Sequence, residues 1–304
     1  MKPPRFGGMV TITCVSITEA SLQPEEERDL EERARPYRAL YEHWESNQWS
    51  PLDLDFSRDR ESFQALSDDD KQGFMWIFAH RFHAEFMVAT ILAPFVVRAP
   101  NYELQTCLST QLADEFRHLQ SVLRVYDEVF DIRSVDRVRA MADANIDPVA
   151  AAMYEAIHPY VAPLETSADE DLFLQAVVCY HLIGEGVVAR TSQNLAANQY
   201  ERFGVFPGLV QGQRHVARDE ARHIGIGVSY VRQRMAKDRE RTSAVIGEIV
   251  EAFAEFSTSL LETALSGGMD SQVLAGYGVE AEGFYAEAMR LWQIRLRSIG
   301  LADD

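Results

Sequence analysis

Asp114-Glu-Phe-Arg-His118 and Asp219-Glu-Ala-Arg-His223 share one pattern, Asp-Glu-x-Arg-His, and each lies in a long stretch of helical periodicity. A glutamate and a histidine three residues apart lie on the same helical face, about 5–6 Å apart at Cβ. Both side chains of such a pair can therefore bind one metal ion. A single Glu-x-x-His arises often by chance, whereas two copies of the longer pattern indicate two related helices.

Each motif is preceded by a glutamate in an apolar stretch. Glu85 is the only acid between residues 70 and 103, and Glu185 is the only acid between residues 171 and 201. Glu85 precedes Glu115 by 30 residues, and Glu185 precedes Glu220 by 35 residues. A carboxylate buried alone is costly unless a cation compensates its charge. The order therefore predicts two similar helix pairs that face each other across a metal site.

The ligand types indicate which metals the site binds. Four glutamates carry a charge of −4, which two divalent ions balance. Oxygen ligands with one imidazole per ion favour iron and manganese over tetrahedral zinc. One Glu from each of two helices and a Glu-x-x-His from each of two others is the ferritin-like dimetal arrangement. We predict that metal one binds Glu85, Glu115 and His118, that metal two binds Glu185, Glu220 and His223, and that Glu115 bridges the two ions.

Three further side chains are predicted to support the ligands. Asp114 and Asp219 each directly precede a predicted ligand, where a carboxylate can accept the other ring N–H of a ligand histidine. Ion pairs of these aspartates with Arg117 and Arg222 on the helix surface are the alternative. His181 lies four residues before Glu185, so we expect it beside the metals on the same helical face.

The composition excludes several functions. The chain has 304 residues, with 29 Lys and Arg against 47 Asp and Glu, and a net charge of −18. Phosphate binding needs a positive surface, so nucleic acid is excluded as a partner. The longest apolar stretch, residues 87–97, is too short for a membrane span. The N-terminus lacks the apolar region of a signal peptide, and three distant cysteines fit no disulfide or zinc pattern, which favours a cytoplasmic protein.

The sequence predicts an all-α fold, a ferritin-like helical bundle with a dimetal site in a four-helix core. We expect one domain over 1–304, with an N-terminal extension and first helix over 1–50, metal-binding helices over 67–236 and C-terminal helices over 240–304. Only the segment 9–17 is β-prone, and Gly267-Gly268 marks a break. The individual helices are predicted at about 22–49, 67–97, 101–130, 147–162, 168–200, 206–236, 240–266 and 279–298.

Residues 45–240, with the six ligand positions in order, resemble the ribonucleotide reductase R2 superfamily. The closer resemblance is to the R2-like ligand-binding oxidases, which have a valine three residues after the first ligand and a tyrosine five residues before the fourth. Val88 and Tyr180 occupy these positions. Further similar segments are Asp53-Leu-Asp-Phe-Ser-Arg-Asp-Arg60 followed by Leu66-Ser-Asp-Asp-Asp70, the pair Glu185-Gly186, and Phe206-Pro-Gly208.

The resemblance implies a dimetal oxidase with a Mn/Fe or Fe/Fe cluster that activates O2 for a two-electron oxidation. It also implies an ether bond between Val88 Cβ and the Tyr180 oxygen, a long-chain fatty-acid-like ligand whose carboxylate bridges the metals, and a homodimer. Ordinary core packing is the alternative for both side chains. On an ideal α-helix five residues turn about 500°, which leaves Tyr180 about 140° from Glu185. Both face the metals only if the helix has a π-bulge.

Three related functions are alternatives. Radical-generating R2 subunits usually have an aromatic residue four positions after the first ligand histidine, where this chain has Val122, and their tail carries a tyrosine, whereas residues 299–304 contain no aromatic. Arylamine N-oxygenases add a histidine where this chain has Val216. A ferroxidase or iron-storage protein shares the fold, but ferritins are shorter by 100 or more residues than the 304 here. We therefore favour the oxidase.

Overall fold

The computed structural model describes residues 25–145, 148–194, 206–265 and 281–302. Every regular element within these ranges is helical, which confirms the predicted all-α class. The β-prone segment 9–17 and the glycine pair at 267–268 lie outside the described residues.

The helices follow one another with short connections. In the described ranges they are α1 (Glu25–Glu32), α2 (Tyr37–Ser46), a 3₁₀ turn (Pro51–Asp53), α3 (Ser57–Ala65), α4 (Asp68–Ile91), α5 (Ala93–Arg98), α6 (Tyr102–Glu128), α7 (Val135–Asn145), α8 (Pro148–Val161), a second 3₁₀ turn (Ala162–Glu165), α9 (Glu170–Val177), a π-helix (Val178–Ala189), α10 (Pro207–Lys237), α11 (Arg239–Leu265) and α12 (Ala281–Ile299). Helix α9, the π-helix and residues up to Asn194 form one continuous rod.

Four long helices form the core that carries the predicted ligands, namely α4, α6, α10 and the rod that contains the π-helix. Helix α4 packs on α6, α6 packs on α10, and α10 packs on the π-helix. A large apolar cluster that includes Phe95, Leu174 and Ile224 lies on one side. A second cluster, with Phe78 and Phe206 among its members, lies at the other end of α6. This is the ferritin-like four-helix arrangement that the sequence predicts.

The rod Glu170–Asn194 is long and apolar enough, by composition alone, to cross a membrane. In the structure 67% of its most apolar window is buried inside the protein. The buried centre of the bundle has the same composition as a membrane span, because both lack contact with water. Its burial is that of a core helix, as the prediction of no membrane span requires.

Two predicted helices are interrupted, and both breaks have the same cause. The segment predicted as one helix over 22–49 divides into α1 and α2 at Pro36. The helix predicted over 67–97 ends at Ile91, and α5 begins with Pro94 in its first turn. Proline lacks the backbone N–H that a continuing helix needs, and its ring clashes with the preceding turn. Two of the helix starts are capped by side chains, since Ser67 accepts the Asp70 N–H and Asn101 accepts the Leu104 N–H.

Two α-helices, α3 and α7, were not expected from the sequence. The stretch 51–62, which lies between two predicted helices, holds the first 3₁₀ turn and most of α3. Helix α7 lies where no helix was predicted. Both are short, and each buries only two side chains, so the helical repeat of apolar residues is weak.

A buried group of three charges joins the two ends of the described chain to the core. Glu31 on α1 accepts hydrogen bonds from Arg190, just after the π-helix, and from Arg295 on α12, the latter at 2.6 Å. All three side chains are buried. Gly186 leaves room for this contact, because a Cβ there would lie 3.1 Å from Arg295 Cδ. The group therefore anchors α1 and α12 against the rod that carries Glu185.

The start of α10 is held by a side chain from another helix. Asp59 of α3 is fully buried and accepts the Gly208 N–H at 2.9 Å and the Leu209 N–H at 2.8 Å. A carboxylate stabilises the positive end of the helix and satisfies two otherwise unpaired donors. A Cβ at Gly208 would lie 2.4 Å from the Asp55 carbonyl oxygen, so only glycine fits.

We expect Asp59→Ala to lower the free energy of unfolding by about 1–2 kcal/mol, because two buried N–H groups lose their acceptor. Thermal and urea denaturation followed by circular dichroism measures this. The exposed Asp53→Ala is the matched control and is expected to be neutral. Equal stability of the Asp59→Ala variant and the wild type would contradict the assignment of this cap.

Candidate metal centre

The six predicted ligands lie together in the centre of the bundle, and all six are buried. Four of them, Glu115, Glu185, Glu220 and His223, offer one ligating atom each within 4.8 Å of one another. Glu85, Glu115 and His118 form a second group with the same spacing. Glu115 belongs to both groups, which is the position of the predicted bridge.

The two histidines point the same ring nitrogen into the centre. His118 Nδ1 lies 3.5 Å from Glu85 Oε2 and 3.3 Å from Glu115 Oε2. His223 Nδ1 lies 3.1 Å from Glu115 Oε1 and 3.4 Å from Glu220 Oε2. The two oxygens of Glu115 therefore face different imidazoles, as a carboxylate that bridges two ions must.

The unpaired atoms of the cluster fit two metal ions. Buried polar atoms normally have hydrogen-bond partners, and an unpaired one is costly. Five buried atoms of the cluster make no hydrogen bond to the described residues, and all are atoms that ligate metals: Glu115 Oε2, His118 Nδ1, Glu185 Oε2, Glu220 Oε2 and His223 Nδ1. Oxygens and imidazole nitrogens in this proportion suit iron or manganese. The cluster can hold two such ions.

The pKa values of the cluster show that protons compensate the carboxylates and that metal ions would replace these protons. Burial raises the pKa of Glu185 well above its usual range, and burial together with Glu115 raises the pKa of Glu220. Burial opposes the charged form of Glu115, but the two histidines outweigh it and lower its pKa. The carboxylates likewise overcome burial and raise the pKa of His118 and His223. Protons therefore compensate the carboxylates, and metal binding must displace them.

The aspartates of the two motifs make crossed contacts. Asp114 Oδ2 lies 3.2 Å from His223 Nε2, and Asp219 Oδ2 lies 3.2 Å from His118 Nε2. Each aspartate thus accepts from the histidine of the other motif, which turns Nδ1 of that ring towards the centre. Asp114 also accepts from Arg222 at 2.7 Å, so the ion pair and the histidine contact coexist. Their role in orienting metal ligands stays a prediction.

Two tryptophans complete these contacts, and the sequence reasoning missed both. Trp44 Nε1 donates to Asp114 Oδ1 at 2.9 Å, and Trp49 Nε1 donates to Asp219 Oδ2 at 2.7 Å. Trp49 also stacks on His215, with ring centroids 4.9 Å apart. Both tryptophans come from the N-terminal part of the chain, 70 and 170 residues from their partners. No motif spacing connects positions so far apart, so the sequence carried no signal for them.

Tyr180 lies at the centre because the helix around it is a π-helix. Helical bonds from residue i to i+5 bring residues five positions apart onto one face, which an α-helix does not. The Tyr180 hydroxyl donates to Glu115 Oε1 at 3.4 Å. Burial, with the charges of Glu115 and Glu185, raises the pKa of Tyr180 well above its usual value. Val88 is half-buried and packs against the apolar cluster that contains Tyr180.

His181 acts on the cluster through a glutamine. Gln111 Nε2 donates to Glu185 Oε1 at 2.9 Å, and the Gln111 carbonyl lies 3.0 Å from His181 Nε2. Burial, helped by the charge on His223, lowers the pKa of His181 to about 3, so the ring is neutral and its Nε2–H donates. The amide orientation of Gln111 is thereby fixed. The sequence reasoning missed Gln111, although it lies four residues before Glu115 and so on the same face of α6.

A helical bundle with paired Glu-x-x-His motifs around buried carboxylates defines the class of dimetal-carboxylate proteins. The family model of the ribonucleotide reductase small chain matches residues 35–278. The chain therefore belongs to the ribonucleotide reductase small-chain family.

Solved structures of R2-like ligand-binding oxidase share the fold. A valine-to-isoleucine variant with an anaerobically reconstituted Mn/Fe cofactor is 22% identical, with a TM-score of 0.74 over 88% of this chain and 94% of that one. A tyrosine-to-phenylalanine variant, reconstituted aerobically with Mn/Fe, is 21% identical, with the same TM-score and coverage. A glycine-to-phenylalanine variant has a TM-score of 0.73, 21% identity, and coverage of 88% and 95%. At these identities the likeness concerns the fold.

We expect the protein to bind two divalent ions per chain and to gain stability with each. An ion at one hundred times its Kd adds about 2.7 kcal/mol to the free energy of unfolding. Elemental analysis and thermal denaturation with Mn(II) or Fe(II) under anaerobic conditions measure count and stability. Glu185→Gln is expected to lose one ion and Glu115→Gln both. Two ions retained by Glu115→Gln would contradict the bridge.

Gln111→Leu is expected to weaken binding of metal two by roughly 10–100-fold, the usual effect of removing a group that orients a ligand. The reason is that Glu185 loses the hydrogen bond that Gln111 donates to its Oε1, so its carboxylate is held less firmly in the orientation that binds the metal. Competition with a chelator measures the affinity. Gln105→Leu on the same helix is the matched control, because Gln105 is exposed and bonds the Val96 carbonyl. Equal weakening in both variants would contradict the role of Gln111.

Proposed function

We propose that this protein is a dimetal oxidase with a Mn/Fe or Fe/Fe cluster. Metal one is held by Glu85, Glu115 and His118, and metal two by Glu185, Glu220 and His223. The observation that carries the proposal is the Tyr180 hydroxyl, which the π-helix places 3.4 Å from the bridging carboxylate of Glu115. When bound, the two ions supply the reduction of O2 and the oxidising power for a two-electron oxidation.

The chain's own residues prepare the site for that chemistry. Asp114 and Asp219 hold the Nε2–H of the two imidazoles, so that both rings present Nδ1. The apolar clusters on either side keep water from the centre, which strengthens each electrostatic interaction within it. Glu115 Oε1 accepts from the Tyr180 hydroxyl and can take its proton.

Oxidation of the protein itself is the first reaction that we propose. The Tyr180 oxygen forms an ether bond to Val88 Cβ as one hydrogen leaves each side chain. O2 accepts the two electrons, and the two protons leave with its reduction products. Val88 lies on α4, three residues after Glu85, and packs on the apolar cluster of Tyr180. The relatives reconstituted with Mn/Fe support the metals of this proposal.

Intact mass spectrometry tests the crosslink. We expect protein loaded with metal in air to be lighter by two hydrogens than protein kept metal-free, and Tyr180→Phe to show no loss. Tyr160→Phe is the matched control, because Tyr160 packs on the same apolar cluster as Tyr180. Among the described contacts, Tyr160 donates no hydrogen bond to the carboxylates of the metal site. An unchanged wild-type mass with two ions bound and O2 consumed would contradict the crosslink.

A radical-generating reductase subunit is the second candidate, and the family match favours it. In that case the protein would restore turnover to a ribonucleotide reductase large subunit. The position used by many such subunits for a radical is Val122, a buried aliphatic side chain, which argues against this function. A ferroxidase that stores iron would accumulate many irons per chain instead of two. An N-oxygenase would need a seventh ligand at Val216, which is buried and apolar.

Ligand, assembly and location are further parts of the proposal. The resemblance to ligand-binding oxidases supports a long-chain fatty-acid-like ligand whose carboxylate bridges the metals, and a homodimer. The three distant cysteines, which fit no disulfide pattern, support a cytoplasmic location. Organic extraction followed by mass spectrometry identifies a co-purified acid, and sedimentation gives the oligomeric state.

A further inference from the structure

The arginines of the two Asp-Glu-x-Arg-His motifs are used unequally. Arg117 and Arg222 occupy the same position of the repeated pattern. Both nevertheless donate to one aspartate, since Arg117 Nη1 lies 2.8 Å from Asp114 Oδ1 and Arg222 Nη2 lies 2.7 Å from Asp114 Oδ2. Among the described residues no guanidinium donates to Asp219, and Arg117 Nη1 lies 3.8 Å from its Oδ2, which is too long for a hydrogen bond. The repeated sequence therefore gives two aspartates with different surroundings.

Arg222 reaches across from its own helix to α6. Its side chain is buried, as is that of Asp114. Its Nη1 also donates to Thr110 Oγ1 at 3.0 Å. Thr110 lies one turn before Asp114 on α6, so it presents a second acceptor beside the carboxylate. The corresponding position on α10 is His215, whose ring stacks on Trp49 instead. The guanidinium of Arg222 is therefore fixed on the side of Asp114.

The two aspartates therefore differ in how strongly they draw on the ligand imidazoles. Each aspartate accepts the Nε2–H of a histidine at 3.2 Å and the indole N–H of a tryptophan, so these contacts match. A carboxylate that accepts strongly from one ring nitrogen makes the imidazole a stronger donor to a metal at the other. Two guanidiniums compensate the charge of Asp114, whereas none donates to Asp219 among the described residues. His118 should thus be a stronger metal ligand than His223.

A cation beside the first metal position acts on a different ligand. Arg81 Nε lies 3.9 Å from Glu85 Oε1, so its charge bears on that carboxylate and not on an aspartate that holds a histidine. At the second position Glu185 accepts from the neutral amide of Gln111. The difference between the two imidazoles therefore comes from the arginines on Asp114.

We propose that Arg222 is a positioning residue for metal two, and that its charge on Asp114 makes His223 a weaker donor than His118. The two metal positions are thereby chemically unequal, although their motifs are nearly the same. The inference rests on the proposed function for the presence of two ions, and it does not depend on the reaction with O2. Metals differ in the ligands that they prefer, so unequal donors allow the chain to distinguish its two positions.

Proton NMR of the anaerobic protein loaded with two Co(II) ions tests the proposal. A paramagnetic ion moves the Nε2–H signals of its histidine ligands away from the other resonances, so two exchangeable signals are expected. Asp219→Asn identifies the signal of His118 by shifting it. Arg222→Gln should shift the signal of His223 and leave that of His118 in place. Arg222→Lys keeps the charge and should restore the wild-type position.

Arg124→Gln is the matched control, because it removes the same charge without touching either aspartate. Arg124 bonds Glu128 and the backbone carbonyls of Pro51 and Leu54. Both histidine signals should keep their wild-type positions in this variant.

The affinity for metal two separates this role from a purely structural one. Without the charge of Arg222, His223 donates more strongly, so Arg222→Gln should bind Co(II) at metal two at least about threefold more tightly in competition with a chelator. Asp114 keeps its place in this variant, because Trp44 and Arg117 hold its other oxygen. Weaker binding would overturn the proposal, and so would a His223 signal that stays in place or moves equally in Arg222→Lys.

Arg117→Gln keeps the proposal testable if Arg222→Gln does not fold. Arg117 is less deeply buried than Arg222 and donates to the same carboxylate, so its loss should shift the signal of His223 more than that of His118. A shift of the His118 signal alone would contradict the inference. Fewer than two Co(II) ions bound by the wild type would overturn the proposed function, whereas two bound ions without a selective shift would overturn this inference alone.

Discussion

Four carboxylates are buried within reach of one another, and the rest of the structure depends on how their charge is compensated. All four are shielded from bulk solvent, so compensation must come from protons within the cluster or from metal ions. Neighbouring groups occupy only selected atoms of the cluster. Gln111 takes one oxygen of Glu185 and leaves the other unpaired, and Asp114 and Asp219 take the outer nitrogens of the imidazoles. The atoms that remain unpaired are therefore carboxylate oxygens and imidazole nitrogens that point towards the centre and could bind metal ions.

The helices farther from the centre hold this set in place. The buried group of Glu31, Arg190 and Arg295 joins the first and last described helices to the rod of Glu185. Asp59 fixes the first turn of α10, on which Glu220 and His223 lie three to four turns later. Both contacts bury charge, and buried charge is tolerated only with good partners. The periphery thus determines the register of the ligand helices.

The ligand helices could be predicted from the sequence, but much of their surroundings could not. Isolated acids in apolar stretches and the paired motifs follow local rules, so Glu85 and Glu185 stood out. The need for a π-helix at Tyr180 was also evident, because an α-helix would turn it away. In contrast, Trp44 and Trp49 contact the aspartates beside the centre through tertiary packing that no spacing rule encodes. The prolines at positions 36 and 94 were signals for the two helix breaks. The prediction passed over them because the amphipathic pattern continues on both sides of each proline.

The crossed contacts of the aspartates have a consequence for how such a site can change. Asp114 lies in the first motif but holds the histidine of the second, and Asp219 does the reverse. A substitution that removes the aspartate of one motif therefore also frees the histidine of the other, which is a predicted ligand of the other metal. Neither half of the bundle can be simplified to a one-metal site, or exchanged for a half from a relative, without rebuilding its counterpart. The two motifs are therefore structurally interdependent.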